Sequence, residues 1–477
     1  MKAQRILMAF IALVLVAGLT AGMVSAQATT KSLATNFTLV NLSPNDTEAT
    51  VNYYLPDGSA WKDPDVIPVP GNGGQAIVRQ YTDPDLSDGL GSAAVTSLEP
   101  LAGLVQQVID PAAGQVPTSG AYAAISEGST VWYIPQVAKN ASSATGIANS
   151  WIIIQNLGMD VVSVNVSLTK YGASTPELVT PIADIPVGAS YYYDLNLEAG
   201  LSTGFFSAVV EVDGTGTVGV VSDLFFGANS MMSFNAFPLE AITDAWSIPL
   251  VYSRLTNSLV TSLVVQNLSG SEIAIGDISL ECTPDPASPS QATISTANTA
   301  AIPANGIVAW NTLTQTAIFP ATWFGPCKID SASDAGIVSL VLYRYTATGD
   351  QAGYEAIPAS STDTMVFVPL AAKTLTNKFC TAITVMNLSD ADITADLIWT
   401  GSGAAADFLE EDVAITANGS IIRNLCLPTH PIGVAMPAGW VGTLTAEGTG
   451  PVAAYVANRY NPSSGDQFMA YLGITQP

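Results

Sequence analysis

Side chains able to do chemistry are scarce in this chain. His430 is its single histidine, set between two prolines in "LPTHPIG", and no Gly-x-Ser-x-Gly elbow accompanies it. A nucleophilic triad needs a base beside its serine or cysteine, so His430 reads as a solvated turn residue. A glycosidase needs only two carboxylates, and 39 acidic residues offer pairs. The acidic clusters, "SPNDTEA" from Ser43, "DPDLSDG" from Asp83 and "SDADITAD" from Ser389, lie in predicted loops, where solvated charge is the default. Asp83, Asp85 and Asp88 stand close enough to interest a hard cation such as calcium, but they match no helical calcium loop. "GTGTVG" from Gly214 has neither the lysine nor the following helix of a phosphate site. No cofactor, metal or catalytic residue is expected.

Sugar binding calls for exposed rings. "ASYYYDLN" puts Tyr191 and Tyr193 on one face of a strand and Tyr192 on the other, so at least one ring should reach the surface. The matching strands, "GQAIVRQY", "GIVAWNTL" and "GSIIRNLC", share no aromatic platform. Core packing is therefore the expected role of these tyrosines.

The first 26 residues have a basic start at Lys2 and Arg5, an apolar stretch and "VSA" before Gln27, the pattern of a secretory signal peptide. No later apolar run reaches the roughly 18 to 20 residues of a membrane helix. Removing Lys2 and Arg5 takes the net charge from −25 to −27. Such a surface repels phosphate backbones and anionic lipid, so nucleic acid is not an expected partner. In an exported chain, Cys282, Cys327, Cys380 and Cys426, with no C-x-x-C pair and no histidine partners for zinc, read as disulfides. Of the three connectivities open to four cysteines, pairing within repeats selects Cys282 with Cys327 and Cys380 with Cys426. Each would close a loop of about 45 residues, worth about 4 kcal/mol of chain entropy.

Four related stretches must position everything else. "TNFTLVNLS", "SWIIIQNLG", "TSLVVQNLS" and "TAITVMNLS" place Asn41, Asn156, Asn267 and Asn387 at steps of 115, 111 and 120 residues. A period near 110 is the size of one β-sandwich. Further landmarks return in order: a turn at "VIPVPGNGG", "DIPVGAS", "AIPANG" and "AITANG", a late strand such as "TVGVVSDLF" or "PVAAYVANRY", and a final small-and-aromatic strand. Asparagine bonds its own backbone and tolerates a left-handed conformation, so each Asn-Leu step is read as a turn that ends a strand. Asn41, Asn267 and Asn387 also match the glycosylation pattern, but Gly158 breaks it after Asn156 while the turn persists. Apolar and polar residues alternate with period two, the mark of sheets with one wet face.

Between repeats stand "VWYIPQVAKN", "AWSIPLVYSR" and "MVFVPLAAKT", which proline consigns to a sheet edge or a linker that sets the angle between neighbours. Either four domains need only three linkers, or each unit needs this strand to complete its sheet. In the second case an end unit presents an open edge to another copy.

This arrangement resembles the uncharacterised immunoglobulin-like β-sandwich repeats of bacterial secreted and cell-surface proteins, from about Thr35 to Ile474. The repeat and the alternation are read as an all-β chain of four tandem immunoglobulin-like β-sandwiches: a signal peptide over 1–26, then repeats over 27–130, 131–244, 245–364 and 365–477. The resemblance implies a secreted or surface-associated structural, adhesive or binding role and brings no catalytic residues with it, so an enzyme is not expected. Self-association and other surface proteins or glycans are the partners expected. The alternative is a carbohydrate- or ligand-binding extracellular module. Domains set end to end would make a thin rod.

Overall fold

The computed structural model describes residues 32–110, 118–143, 146–227, 230–427, 436–460 and 468–475. His430 and the expected signal peptide lie outside the described residues. The chain is all-β, in eight small antiparallel sheets that fall in chain order into four pairs, called units below.

One sheet of each unit is built on an asparagine strand: Ser32–Asn41, Gly146–Asn156, Leu259–Asn267 and Phe379–Asn387. Each pairs on one side with the strand after the second turn. On the other side it pairs with a late strand: Leu101–Asp110, Val218–Phe226, Ile337–Tyr345 or Val452–Tyr460. A fourth strand, called axial, follows: Thr118–Ala123, Ser230–Asn235, Gln351–Glu355 and Phe468–Leu472, and in unit two the short strand Ala141–Ser143 also pairs with the asparagine strand.

The second sheet of units two to four has five strands. Its fourth member is the proline-containing stretch, called the leading strand: Val131–Lys139, Ala245–Ser253 and Met365–Ala372. This corrects the linker reading, since each leading strand is a paired member of the unit that follows it. The neighbours are Gly204–Asp213, Trp323–Ser331 and Val441–Gly448 on one side and two-residue strands on the other. The ladder shifts register beside each proline, where a residue without an N–H is tolerated. In unit one the second sheet has only three strands, Ala60–Val69, Thr47–Tyr54 and Ser92–Ser97.

Alternation explains part of the packing. Gly146–Asn156, Val162–Lys170 and Ile393–Gly401 bury every second residue, as strands with one face in a core do. Val218–Phe226 departs from it: all nine residues are buried. The reason lies between units. The axial strands of units one and two pack together, as do those of two and three, three and four, and four and one. The chain thus closes into a ring of four units, with the axial strands at its centre covering the late strands. The end-to-end rod is overturned by these contacts.

The apolar core follows the ring. One cluster runs through units two and three to Tyr455 and Phe468 of unit four, and another joins Leu104 and Ala121 of unit one to unit four. Val40, Leu42 and Ala102 pack with Phe367 across the closing seam.

Candidate functional site

The four repeated asparagines form one motif, and each is fully buried. Asn267 donates from Nδ2 to the Ser271 carbonyl at 2.7 Å and the Ile302 carbonyl at 2.9 Å, while Oδ1 accepts from the Ser269 amide at 2.9 Å. Asn156 repeats this with Asp160, Ile185 and Gly158, all at 2.8 Å. Asn41 bonds Asn45, Val69 and Ser43, and Asn387 bonds Ala391, Ile415 and Ser389. Each asparagine therefore ties its own turn to the end of the opposing sheet. None takes the left-handed conformation. That conformation belongs to the second turn, at Gly73, Gly188, Asn305 and Asn418, with φ of 76°, 76°, 59° and 52°. The following residue in each case accepts the asparagine's backbone N–H.

The second turn is also where units meet. Ser92 Oγ donates to the Gly188 carbonyl at 2.5 Å, Ser207 Oγ to Asn305 at 2.9 Å, and Thr443 Oγ1 to Gly73 at 2.9 Å. The same hydroxyl position thus links units one to two, two to three, and four back to one. In unit three the corresponding residue is Pro326, which has no hydroxyl to offer. There the seam uses aromatics: Tyr354 stacks on Tyr455 at 4.7 Å, and Arg459 donates to Tyr345 Oη at 2.7 Å. Gln155, bonding the Ala93 carbonyl, and Gln75, bonding those of Pro369 and Gly442, add amide bonds across the first and last seams.

Two buried carboxyls stand at the axial strands, Asp223 on the late strand opposite Ser233 and Glu355 at the end of its own axial strand. Asp223 is fully buried, and desolvation pushes its pKa up to about 7, opposed by bonds from Ser233 and Gln107. Ser233 Oγ lies 2.7 Å from it, and the Gln107 amide nitrogen, turned toward the carboxyl, lies 3.0 and 3.1 Å from its two oxygens. Gln107 belongs to unit one, so this trio staples the first seam. Glu355 is likewise pushed up to about 7 by burial, with the Asn235 backbone of unit two bonding it. Asp223 is thus bonded by Ser233 of its own unit and Gln107 of unit one, and Glu355 by the backbone of unit two. Sequence reading missed both residues, because what distinguishes them is supplied by neighbouring units.

Both disulfides form as expected, Cys282 with Cys327 and Cys380 with Cys426. Cys282 and Cys327 face each other in register on adjacent strands. Asp83 bonds Lys62 at 2.6 Å and the Asp85 amide at 3.0 Å. Among the described residues no three metal-ligating side chains come together. Of the three tyrosines, Tyr191 is 41% exposed, whereas Tyr192 Oη reaches the Gly91 carbonyl of unit one at 2.5 Å and Tyr193 bonds Glu198 at 2.9 Å. A cavity of about 190 Å³ lies between units two and three, with Phe205, Phe226, Tyr343, Arg344, Gln136 and Asn311 in its wall.

No protein-family model matches the chain, and no curated protein matches it either.

Proposed function

We propose that the chain is a secreted or surface-held structural or adhesive protein, built of four tandem immunoglobulin-like sandwiches, and not an enzyme. The observation that carries this reading is the use made of its perturbed polar groups. Asp223, Glu355 and the hydroxyls of Ser92, Ser207 and Thr443 all lie in contacts between units. Polar chemistry invested in seams serves rigidity. Two disulfides, and no helix among the described residues able to cross a membrane, are compatible with life outside the cell.

The test is to express the whole chain with its leader in an exporting host. Protease shaving of intact cells and adhesion of those cells to coated surfaces are then measured. Accessible protein with raised adhesion is expected. Protein confined to the cytoplasm, or turnover of a substrate abolished by one carboxylate substitution, would overturn the reading.

The cavity favours a second reading, a ligand-binding module. Arg344 Nε is buried there without a partner, in a strongly acidic protein whose guanidinium groups have carboxylates to choose from. A cationic group among aromatic walls suits a small carboxylate-bearing molecule such as an acidic sugar. An acidic-glycan screen with hits lost in Arg344→Gln supports it; a screen without hits sinks it.

A further inference from the structure

Unit one lacks a strand that each of the other units has. In units two to four the leading strand runs antiparallel beside the counterpart of Ser92–Ser97, with Trp132 opposite Val210, Trp246 opposite Ile329 and Val366 opposite Ala446. Ser92–Ser97 pairs with Thr47–Tyr54 on one side and, among the described residues, with nothing on the other. The consequence is visible in the core. Val95, the counterpart of Val210, Ile329 and Ala446, is 38% exposed where each of those is 0% exposed.

The edge is also unguarded. Natural edge strands carry charges, prolines or bulges that discourage pairing. The far edge of the same sheet, Ala60–Val69, has Lys62, Asp63, Pro64, Asp65 and Pro68, and Lys62 is ion-paired at 2.9 Å to Asp65. The corresponding outer strand of unit four, Phe408–Ile415, has Glu410, Glu411 and Asp412. "SAAVTS" has no charge and no proline.

We propose that Ser92–Ser97 is a docking edge for an extended strand of a different protein chain, with the sequence pattern of the leading strands. That pattern is an apolar residue, any residue, a β-branched residue and proline, as in "WYIP", "WSIP" and "VFVP". The backbone from Val95 to Ser97 supplies the ladder, since the Ala93 carbonyl already accepts from Gln155 of unit two at 3.3 Å, and the uncovered surface at Val95 takes the first apolar side chain. The proposal rests on the reading of the chain as an exported protein that begins near Gln27. From leading strand to asparagine strand, units two to four spend residues 140–145, 254–258 and 373–378. On that reading five residues, 27–31, precede Ser32, as many as the shortest of those connections uses, and the partner strand is sought in another chain. A second copy has none to lend, because its leading strands are built into its own sheets.

The test uses the chain Gln27–Pro477 and a labelled peptide with the sequence of Ala245–Arg254, followed by fluorescence anisotropy. Saturable binding is expected. Replacing the peptide's Trp246 and Ile248 by serine, or Val95 in the protein by lysine, should weaken it at least about tenfold, the effect of losing one good contact. Thr96→Lys, on the opposite face of the strand, should leave it unchanged. Far-UV circular dichroism shows that the variants are folded, and the serine peptide tests the claim without altering the protein. No saturable binding, or equal binding by the serine peptide, would overturn the proposal. Dimerisation without peptide, lost in Val95→Lys, would overturn it too, by giving the edge to a second copy. Adhesion is read separately, so it can fail or succeed independently of peptide binding.

Discussion

The smallest features of this molecule answer to backbone chemistry. Each repeated asparagine satisfies a buried carbonyl at the end of the opposing sheet together with a carbonyl and an amide of its own, more exposed turn, so Asn267→Ala leaves the Ile302 carbonyl unpaired in the interior. A loss of about 1–3 kcal/mol follows from the penalty for one buried orphan, and denaturant midpoints would measure it. Asn267→Asp should be no rescue, since a carboxylate would face the Ser271 and Ile302 carbonyls. Asp223 and Glu355 give the opposite kind of sensitivity. Their folded pKa values, each up to about 7, lie above the ordinary carboxyl range, so the folded state holds more protons than the unfolded one between about pH 4 and pH 7. Their contribution is fully present below about pH 4 and is lost as the pH rises to 7, by at most about 1.4 kcal/mol per pH unit per group. Asp223→Asn should flatten this fall, which unfolding midpoints at pH 5 and pH 8 would reveal. The asparagines were legible in the sequence because their partners lie within the same turn or one hairpin away. The acids were not, because Gln107 stands 116 positions before Asp223 in the chain and its approach depends on how units pack.

At the scale of strands, the leading strand is the element whose role changed between sequence and structure. "AWSIPLVYSR" contains a proline, and proline argues against a ladder interior. The structure reconciles the two by shifting register between Ile248 and Val251, so the proline falls where the pairing is already interrupted. Trp246 is the anchor of the element: it is buried, and its Nε1 donates to the Ile337 carbonyl of the facing sheet at 3.0 Å. Trp132 makes the same bond to Val218 at 2.7 Å, whereas unit four has Val366 at the corresponding place. Trp246→Ala should cost about 3–5 kcal/mol, the range for truncating a large buried aromatic, and Trp246→Phe less, since it keeps the ring but gives up the hydrogen bond. Removing the Cys282–Cys327 bridge, by Cys282→Ser with Cys327→Ser, acts on the unfolded chain instead. Its 45-residue separation corresponds to about 4 kcal/mol of lost closure entropy. Thermal midpoints of the two variants, measured with and without reductant, separate these effects: only the wild type and the tryptophan variants should respond to reductant through this bridge.

The whole molecule is where sequence reading failed, and the physical reason is specific. A repeat of about 110 residues shows that sandwich-sized units follow one another, but their mutual angle is set by contacts between residues hundreds of positions apart. Gln75 reaches the Pro369 carbonyl at 2.9 Å across a separation of 294 residues, and Thr443 reaches Gly73 across 370. One signal was present: the axial strands keep a small residue at matching positions, Ala121, Ser233, Gly353 and Ala470, and Gly120 stands beside the first of them. Its meaning emerges only once the strands converge. A Cβ on Gly120 would sit 2.4 Å from Ser233 Oγ and 3.0 Å from the Ser233 backbone nitrogen, so backbone itself blocks a larger residue. The closed ring therefore makes a prediction that a string of independent sandwiches does not. A compact chain of about 450 residues has a radius of gyration of about 22 Å, while four sandwiches of about 40 Å laid end to end give more than about 40 Å. Small-angle scattering on Gln27–Pro477 should fall near the first value. Gly120→Val should raise it by parting the first and second units while leaving the far-UV spectrum of the sheets intact. A radius unchanged by Gly120→Val would mean that the seam hydroxyls and amides hold the ring without the axial contact; a rod-like radius for the unaltered chain would mean that the units do not close at all.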